Sequence, residues 1–226
     1  MATPRTVQVG PLGAASANGY ALSQAGTAGT PLTLNGSITG GVADAPRRLI
    51  ITSAGNDSGI TFKIIGRQIA NGPTVTEILP GANVGAAQSA LDYAQVISIT
   101  PSANTAANVT AGTNGVASSS WIRLDTYGYA PISLEAIVTG TVNYTVEAAD
   151  RDPNIVVDTS LVTPNTGPAP ITPAQMVWQA HPTLQAMTGN GFDSYSAVPT
   201  WVRCTLNSGT GNVVFTASQP VSGLRL

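Results

Sequence analysis

From Arg48 onward the chain is cut into short runs rich in β-branched and aromatic residues: RLIITS, GITFKIIG, TVTEIL, AQVISITPS, SWIRLD, PISLEAIVTG and VNYTVEAA. They are bounded by AGNDSG, ANGP, PGAN and GTNG, in which Gly and Asn reach positive φ at little cost. Runs spaced roughly 8 to 14 residues apart are the pattern of an antiparallel sandwich or barrel. The sequence therefore predicts an all-β fold whose main β-sandwich domain covers residues 46–152.

The flanks read differently. Residues 1–45 are rich in Gly, Ala, Ser and Thr, with strand-like pieces only at TVQVG and PLTLNG. Such a segment buries little by itself, so it is expected to be an extended N-terminal arm that packs on a neighbour or on the edge of the following sheet. Residues 153–171 carry Pro153, Pro164, Pro168 and Pro170, and proline cannot donate to a ladder, so a stiff connector is expected. Thr172 stands in an N-cap position with Pro173 at the first helical position, which predicts one short helix ended near Pro182. With the run VPTWVRCTLNSGTGNVVFTASQ, read as a hairpin, it makes residues 172–226 a small C-terminal β domain. That hairpin echoes the earlier stretch: Trp121, Ile122 and Arg123 recur as Trp201, Val202 and Arg203, and each copy reaches a Gly-initiated strand with an aromatic, Tyr144 or Phe215. Reuse of one hairpin pattern explains this, and chance similarity between Thr/Val-rich strands competes with it.

Composition restricts the function. Charged residues are 9% of the chain, against about 25% in an ordinary soluble domain. A surface so poor in like-charge repulsion is weakly protected against association, as expected of an assembly subunit. Nine basic residues, with Lys63 the one lysine, are scattered among eleven acidic ones, so no basic stripe exists to track nucleic acid. The adjacent pair Arg47-Arg48 is read as flanking the strand that follows. The N-terminal stretch is interrupted by Gln8, Pro11, Ser16 and Asn18 and does not read as a signal peptide, and no run approaches the roughly 18 apolar residues of a membrane span. A soluble protein made in the cytoplasm, with no membrane partner, is expected.

The reactive inventory is thin. His181 is the one histidine and no GxSxG elbow surrounds any serine, so a structural role is expected for it. Cys204 is alone, which excludes an intramolecular disulfide and makes core filler the expected role. Glycosidase chemistry needs two facing carboxylates. Asp92, Asp125, Glu135 and Glu147 are the candidates, and Glu135 and Glu147 also read as solvent-facing ladder positions. Asp150 and Asp152 could clamp calcium, but Arg151 between them suggests a salt-bridged turn. The expectation is no enzyme, with no catalytic, cofactor or metal residues.

Three stretches, ITSAGNDSGITFKIIG, TNGVASSSWIRLDTYG and GTVNYTVEAADRDP, resemble a family of small virion structural proteins from tailed bacteriophages. WQAHPTLQAMTGNG followed by AVPTWVRCTLNSGTGNVVFTASQ is similar to a second recurring phage pattern. The order of these motifs across residues 48–225 carries the resemblance, with a looser fit at FTASQP. It implies a virion component. Flat Thr/Asn-rich strands and the absence of long helices favour a capsid decoration, or cement, protein over a neck or tail ring. The expected partners are the major capsid protein or neighbouring virion proteins and further copies of the chain, with a trimer favoured. A receptor- or carbohydrate-binding module is the reading from another class, and its mark is aromatic residues gathered on one exposed face; Trp121, Trp178 and Trp201 are dispersed in sequence.

Overall fold

In the computed structural model, residues 2–220 are described except 73, 127, 129, 151–155, 158–168 and 171–176. The strands are β1 (Ala2–Val9), β2 (Ala21–Ala25), β3 (Val42–Asn56), β4 (Thr61–Arg67), β5 (Thr74–Pro80), β6 (Asn83–Pro101), β7 (Asn108–Ser118), β8 (Ile122–Arg123), β9 (Ile132–Thr139) and β10 (Val142–Ala149). They continue as β11 (Val156–Val157), β12 (Ala169–Pro170), β13 (Gln179–Ala180), β14 (Gly191–Tyr195), β15 (Trp201–Gly209) and β16 (Asn212–Pro220). Among the described residues the one helical piece is a 3-10 turn, Thr39–Gly41, and no helix is long and apolar enough to cross a membrane. Every pairing between these strands is antiparallel. The all-β, sandwich-like architecture is the one expected from the sequence.

Two sheets carry the fold. The larger runs β13-β10-β15-β7-β3-β6-β4-β5, with β2 beside β7 and β8 beside β15; the smaller runs β1-β16-β9-β14. Period-two alternation decides which residues meet. In β9, Ile132, Leu134 and Ala136 point inward, and in β16 Val213, Phe215 and Ala217 do the same. Across from them the larger sheet supplies Val142, Tyr144 and Val146 of β10 and Val202, Cys204 and Leu206 of β15. A second core lies under the other half of the larger sheet, built from Leu49, Ile51, Phe62, Ile64, Tyr93, Val96 and Ile99 with Tyr20 and Leu32 closing over it. Burying an aliphatic or aromatic side chain of this size contributes roughly 1.5 to 3 kcal/mol each before chain entropy is counted.

The boundaries expected from the sequence are redrawn by these pairings. β1, expected in an extended arm, is hydrogen-bonded within the chain to β16, from Ala2↔Pro220 to Val9↔Val213. PLTLNG forms no strand; its Leu32 N–H donates to the Ile99 carbonyl at 2.8 Å and its side chain fills the second core. Residues expected as a separate C-terminal domain, β15 and β16, complete the same two sheets as β10 and β9. The start of the expected helix lies outside the described residues, and its later part is extended, with Gln179–Ala180 paired to β10. The Pro-rich connector also lies outside the described residues, apart from the pair β11 and β12.

The stretch GTNG, expected as a turn, lies inside β7. Its Gly112 is there because the segment at Ser16 and Ala17 crosses over the strand, so a Cβ would sit 1.9 Å from the Ser16 carbonyl oxygen. Glycine alone permits such an approach.

The sequence echo is real in space, but it is not two hairpins. β9 and β10 are not paired with each other, and neither are β15 and β16; each Gly-Thr step carries the chain from one sheet to the other. The two resulting arches pair with one another instead, β9 on β16 at Thr139↔Asn212 and β10 on β15 at Val142↔Gly209. At their tips the Thr210 and Gly211 N–H groups both donate to the Thr141 carbonyl, at 3.0 and 2.9 Å. Gly140 and Gly209 take positive φ there, 81° and 116°. The sheet switch needs that conformation, and glycine adopts it without a Cβ clash.

Candidate functional site

The two Trp-x-Arg motifs of the echo are hydrogen-bonded to each other. β8 pairs with β15 at Trp201↔Arg123 and Val202↔Ile122, so the antiparallel register sets one motif's tryptophan opposite the other's arginine. Trp178, just ahead of β13, joins them. Trp121 lies 5.1 Å from Trp178 and 5.8 Å from Trp201 between ring centroids, edge-to-face in both cases. The Arg123 guanidinium is 5.7 Å from the Trp201 ring and that of Arg203 is 4.2 Å from the Trp178 ring. The result is a ladder, Arg123–Trp201–Trp121–Trp178–Arg203, whose contacts have the preferred aromatic and cation–π geometries. All three indoles are half-buried, and the Trp201 Nε1–H has no acceptor.

Behind the ladder lies a chain of ion pairs. Arg203, almost fully buried, donates from Nε to Glu147 at 2.7 Å and approaches Asp92 at 3.5 Å through NH1; Asp92 in turn holds Arg48 at 2.9 Å. Thr205 also donates to Glu147, at 2.7 Å, and Asn207 donates to Asn143 and Thr145 further along the same face. Buried charges survive only when paired and hydrogen-bonded, and this set is. Arg47 points the other way, donating to Asp44 and to the Gly13 carbonyl. Its salt bridge, with the Gly13 and Ala45 N–H groups, outweighs the burial that opposes ionisation and holds the Asp44 carboxyl below its ordinary range. Neither member of the Arg47-Arg48 pair is thus a free cation.

The remaining candidate groups are occupied elsewhere. Glu135 is exposed on the outer face of the smaller sheet and Glu147 lies on the outer face of the larger one, so the core separates them and no cleft joins the two carboxylates. Asp125 follows β8, where the side-chain amide of Gln219 holds both its backbone N–H and its carbonyl. His181 is buried; its Nδ1 accepts from the Thr183 and Leu184 N–H groups, which leaves the proton on Nε2, facing the Ser194 carbonyl at 3.4 Å. A ring with both nitrogens so committed serves as a turn cap. Burial, reinforced by Glu147, pushes the Cys204 thiol up, away from the reactive thiolate. The Asp150 carbonyl accepts from Thr200, while Asp152 lies outside the described residues. Among the described residues no group of three or more His, Cys, Asp or Glu side chains is placed to hold a metal ion.

A second surface stands out by its bareness. The outer face of the smaller sheet carries Gln8 and Thr6 of β1, Val214 and Thr216 of β16, Ser133, Glu135 and Ile137 of β9, and Phe192 and Ser194 of β14. Glu135 is the one charge on it. Phe192 is 75% exposed, more than any other large apolar side chain among the described residues, and Ile137 is 46% exposed. The sequence concealed the first of these, because GFDSY is too short and polar a run to read as a strand.

Three comparisons were made with known proteins: no family model matches the chain, and no curated protein or solved structure matches it.

Proposed function

We propose that this chain is a non-enzymatic structural protein of a tailed-bacteriophage particle, and within that class a capsid decoration protein. The observation that carries the reading is the outer face of the smaller sheet, which has one charge and presents Phe192 and Ile137 to solvent. Uncharged Thr, Ser and Gln side chains lose little on dehydration when they meet hydrogen-bonding partners, and an exposed aromatic is the usual anchor of a protein interface. The motif order that resembles small virion proteins supports the same class. A clamp that binds only the assembled shell stabilises it by mass action, because disassembly must first release the clamp. Self-association into a closed oligomer, with a trimer favoured, belongs to the proposal, since closed symmetry lets small faces act together.

Cryo-electron microscopy of purified particles tests it. Density for the chain across capsid subunits is the expected result. Density at the neck or tail would move it to the ring class, and absence from particles would remove the virion reading. Analytical ultracentrifugation of the purified protein should show an oligomer at micromolar concentration, and a stable monomer there would exclude self-association.

A further inference from the structure

The tryptophan ladder has features that the shell-binding role leaves unused. The largest fully buried side chains of the molecule are tyrosines, phenylalanines, leucines and isoleucines, and none of the three tryptophans is among them. The chain places all of its indoles in one partly exposed cluster, drawn from three separate segments. Beside them Ser120, Arg123 and Gln179 are exposed, while the Trp201 N–H is turned inward and buried.

Charge decides the kind of ligand. A cation would meet the guanidiniums of Arg123 and Arg203 already placed over the outer indoles. An anion would find Arg203 committed to Glu147 and Asp92 and Arg123 held against the Trp201 ring. What the cluster has to offer is indole surface rimmed by the hydrogen-bonding groups of Ser120, Gln179 and Arg123. That surface matches a molecule with apolar C–H faces and hydroxyl edges, in keeping with the general build of ligand sites, aromatic walls with a few polar groups. We propose that Trp121, Trp178 and Trp201 form a binding site for a neutral saccharide, its pyranose C–H faces against the indoles and its hydroxyls toward the rim.

The molecule carries its own reporter, because every tryptophan it contains belongs to the cluster. Intrinsic fluorescence of the full chain should be titrated with cellohexaose, maltohexaose, chitohexaose, mannohexaose and a purified bacterial O-antigen polysaccharide, with a proline-rich peptide as the competing ligand class. The expected result is a saturable emission change with at least one saccharide. Isothermal titration with that saccharide should weaken at least about tenfold in Trp178→Ala and detectably in Gln179→Ala, both checked for an unchanged circular dichroism spectrum. Phe192→Ser, on the opposite sheet, should bind the saccharide as the parent does whether or not it still binds shells. No saturable change with any saccharide overturns the proposal. So does saturation by the peptide alone, or equal saccharide affinity in folded Trp178→Ala.

Discussion

The two outer faces of one sandwich are treated in opposite ways. On the β10–β15 side Arg48, Asp92, Arg203 and Glu147 form one chain of contacts, and an indole lies over Arg203. On the β9–β16 side the ladder positions carry Thr, Ser, Val and Ile, one carboxylate, and an exposed phenylalanine. Both faces belong to arches of the same sequence pattern, so strand propensity does not explain the contrast. The difference teaches where charge is already matched inside the chain, leaving only indole surface to a small ligand, and where a whole face is still on offer. A self-satisfied face contributes to stability; a bare one contributes to it only when something docks.

The sharpest way to break that contrast is Arg203→Ala. It leaves Glu147 without its cation, takes one of two arginines from buried Asp92, and uncovers Trp178, so urea denaturation should show a loss of about 3 to 5 kcal/mol. A loss under about 1 kcal/mol would mean that the ion chain is ornamental. Trp121→Ala comes next. Removing the central indole strips both neighbours of their edge-to-face contact, and a half-buried aromatic should cost about 2 kcal/mol, measured in the same way.

Acid gives a smaller effect, confined to the edge of the bare sheet. The Thr183 hydroxyl and the Ser194 N–H both donate to Asp193 and hold its carboxyl below the ordinary range. A carboxylate favoured in the fold contributes stability that is present above its unfolded value, about 3.9, and is lost as pH falls through the lower folded value. Parent and Asp193→Asn melting temperatures should therefore differ most above that range and converge as pH is lowered toward 2. A gap that widens on acidification would reverse the assignment. The smallest effect on stability is expected from Phe192→Ser and Ile137→Ser, each within about 0.5 kcal/mol of the parent. Their shell binding or self-association should nonetheless fail, and retention of both in the double variant would return the bare face to ordinary surface.

Much of this was open to a reader of the sequence, and the reasons for the rest are physical. Turn chemistry and β-branched runs announce strands, and seven runs were found in or across the strands they announced. Alternation tells which residues share a side but not which side is covered: in TVTEIL it is Glu77 that is buried, taking hydrogen bonds from the Ala90 and Leu91 N–H groups and Tyr93, while Ile78 is 57% exposed. A Gly-Thr step serves a hairpin and an arch equally well, so the sheet switch was hidden although the repetition was visible. For the tryptophan ladder a signal did exist. Two copies of Trp-x-Arg paired antiparallel with their middle residues opposite, as Val202 and Ile122 are, bring tryptophan opposite arginine, but the pairing partner and its register are long-range facts that local patterns do not hold. Trp178 opens the motif WQAHPTLQAMTGNG, but nothing in that motif tells that it lies beside the other two tryptophans.

One pairing has a consequence in time. Thr6 and Thr216 share a hydrogen bond across 210 residues of chain, because β1 is completed only by β16. During synthesis β1 emerges well ahead of β16 and waits for it, while the second core, built from nearer neighbours, can close early. The bare face is completed after that core. A nascent chain interrupted before β16 thus lacks the surface proposed to grip the shell, and the order of ribosomal emergence holds that adhesive surface back until the other half of the larger sheet can already have folded.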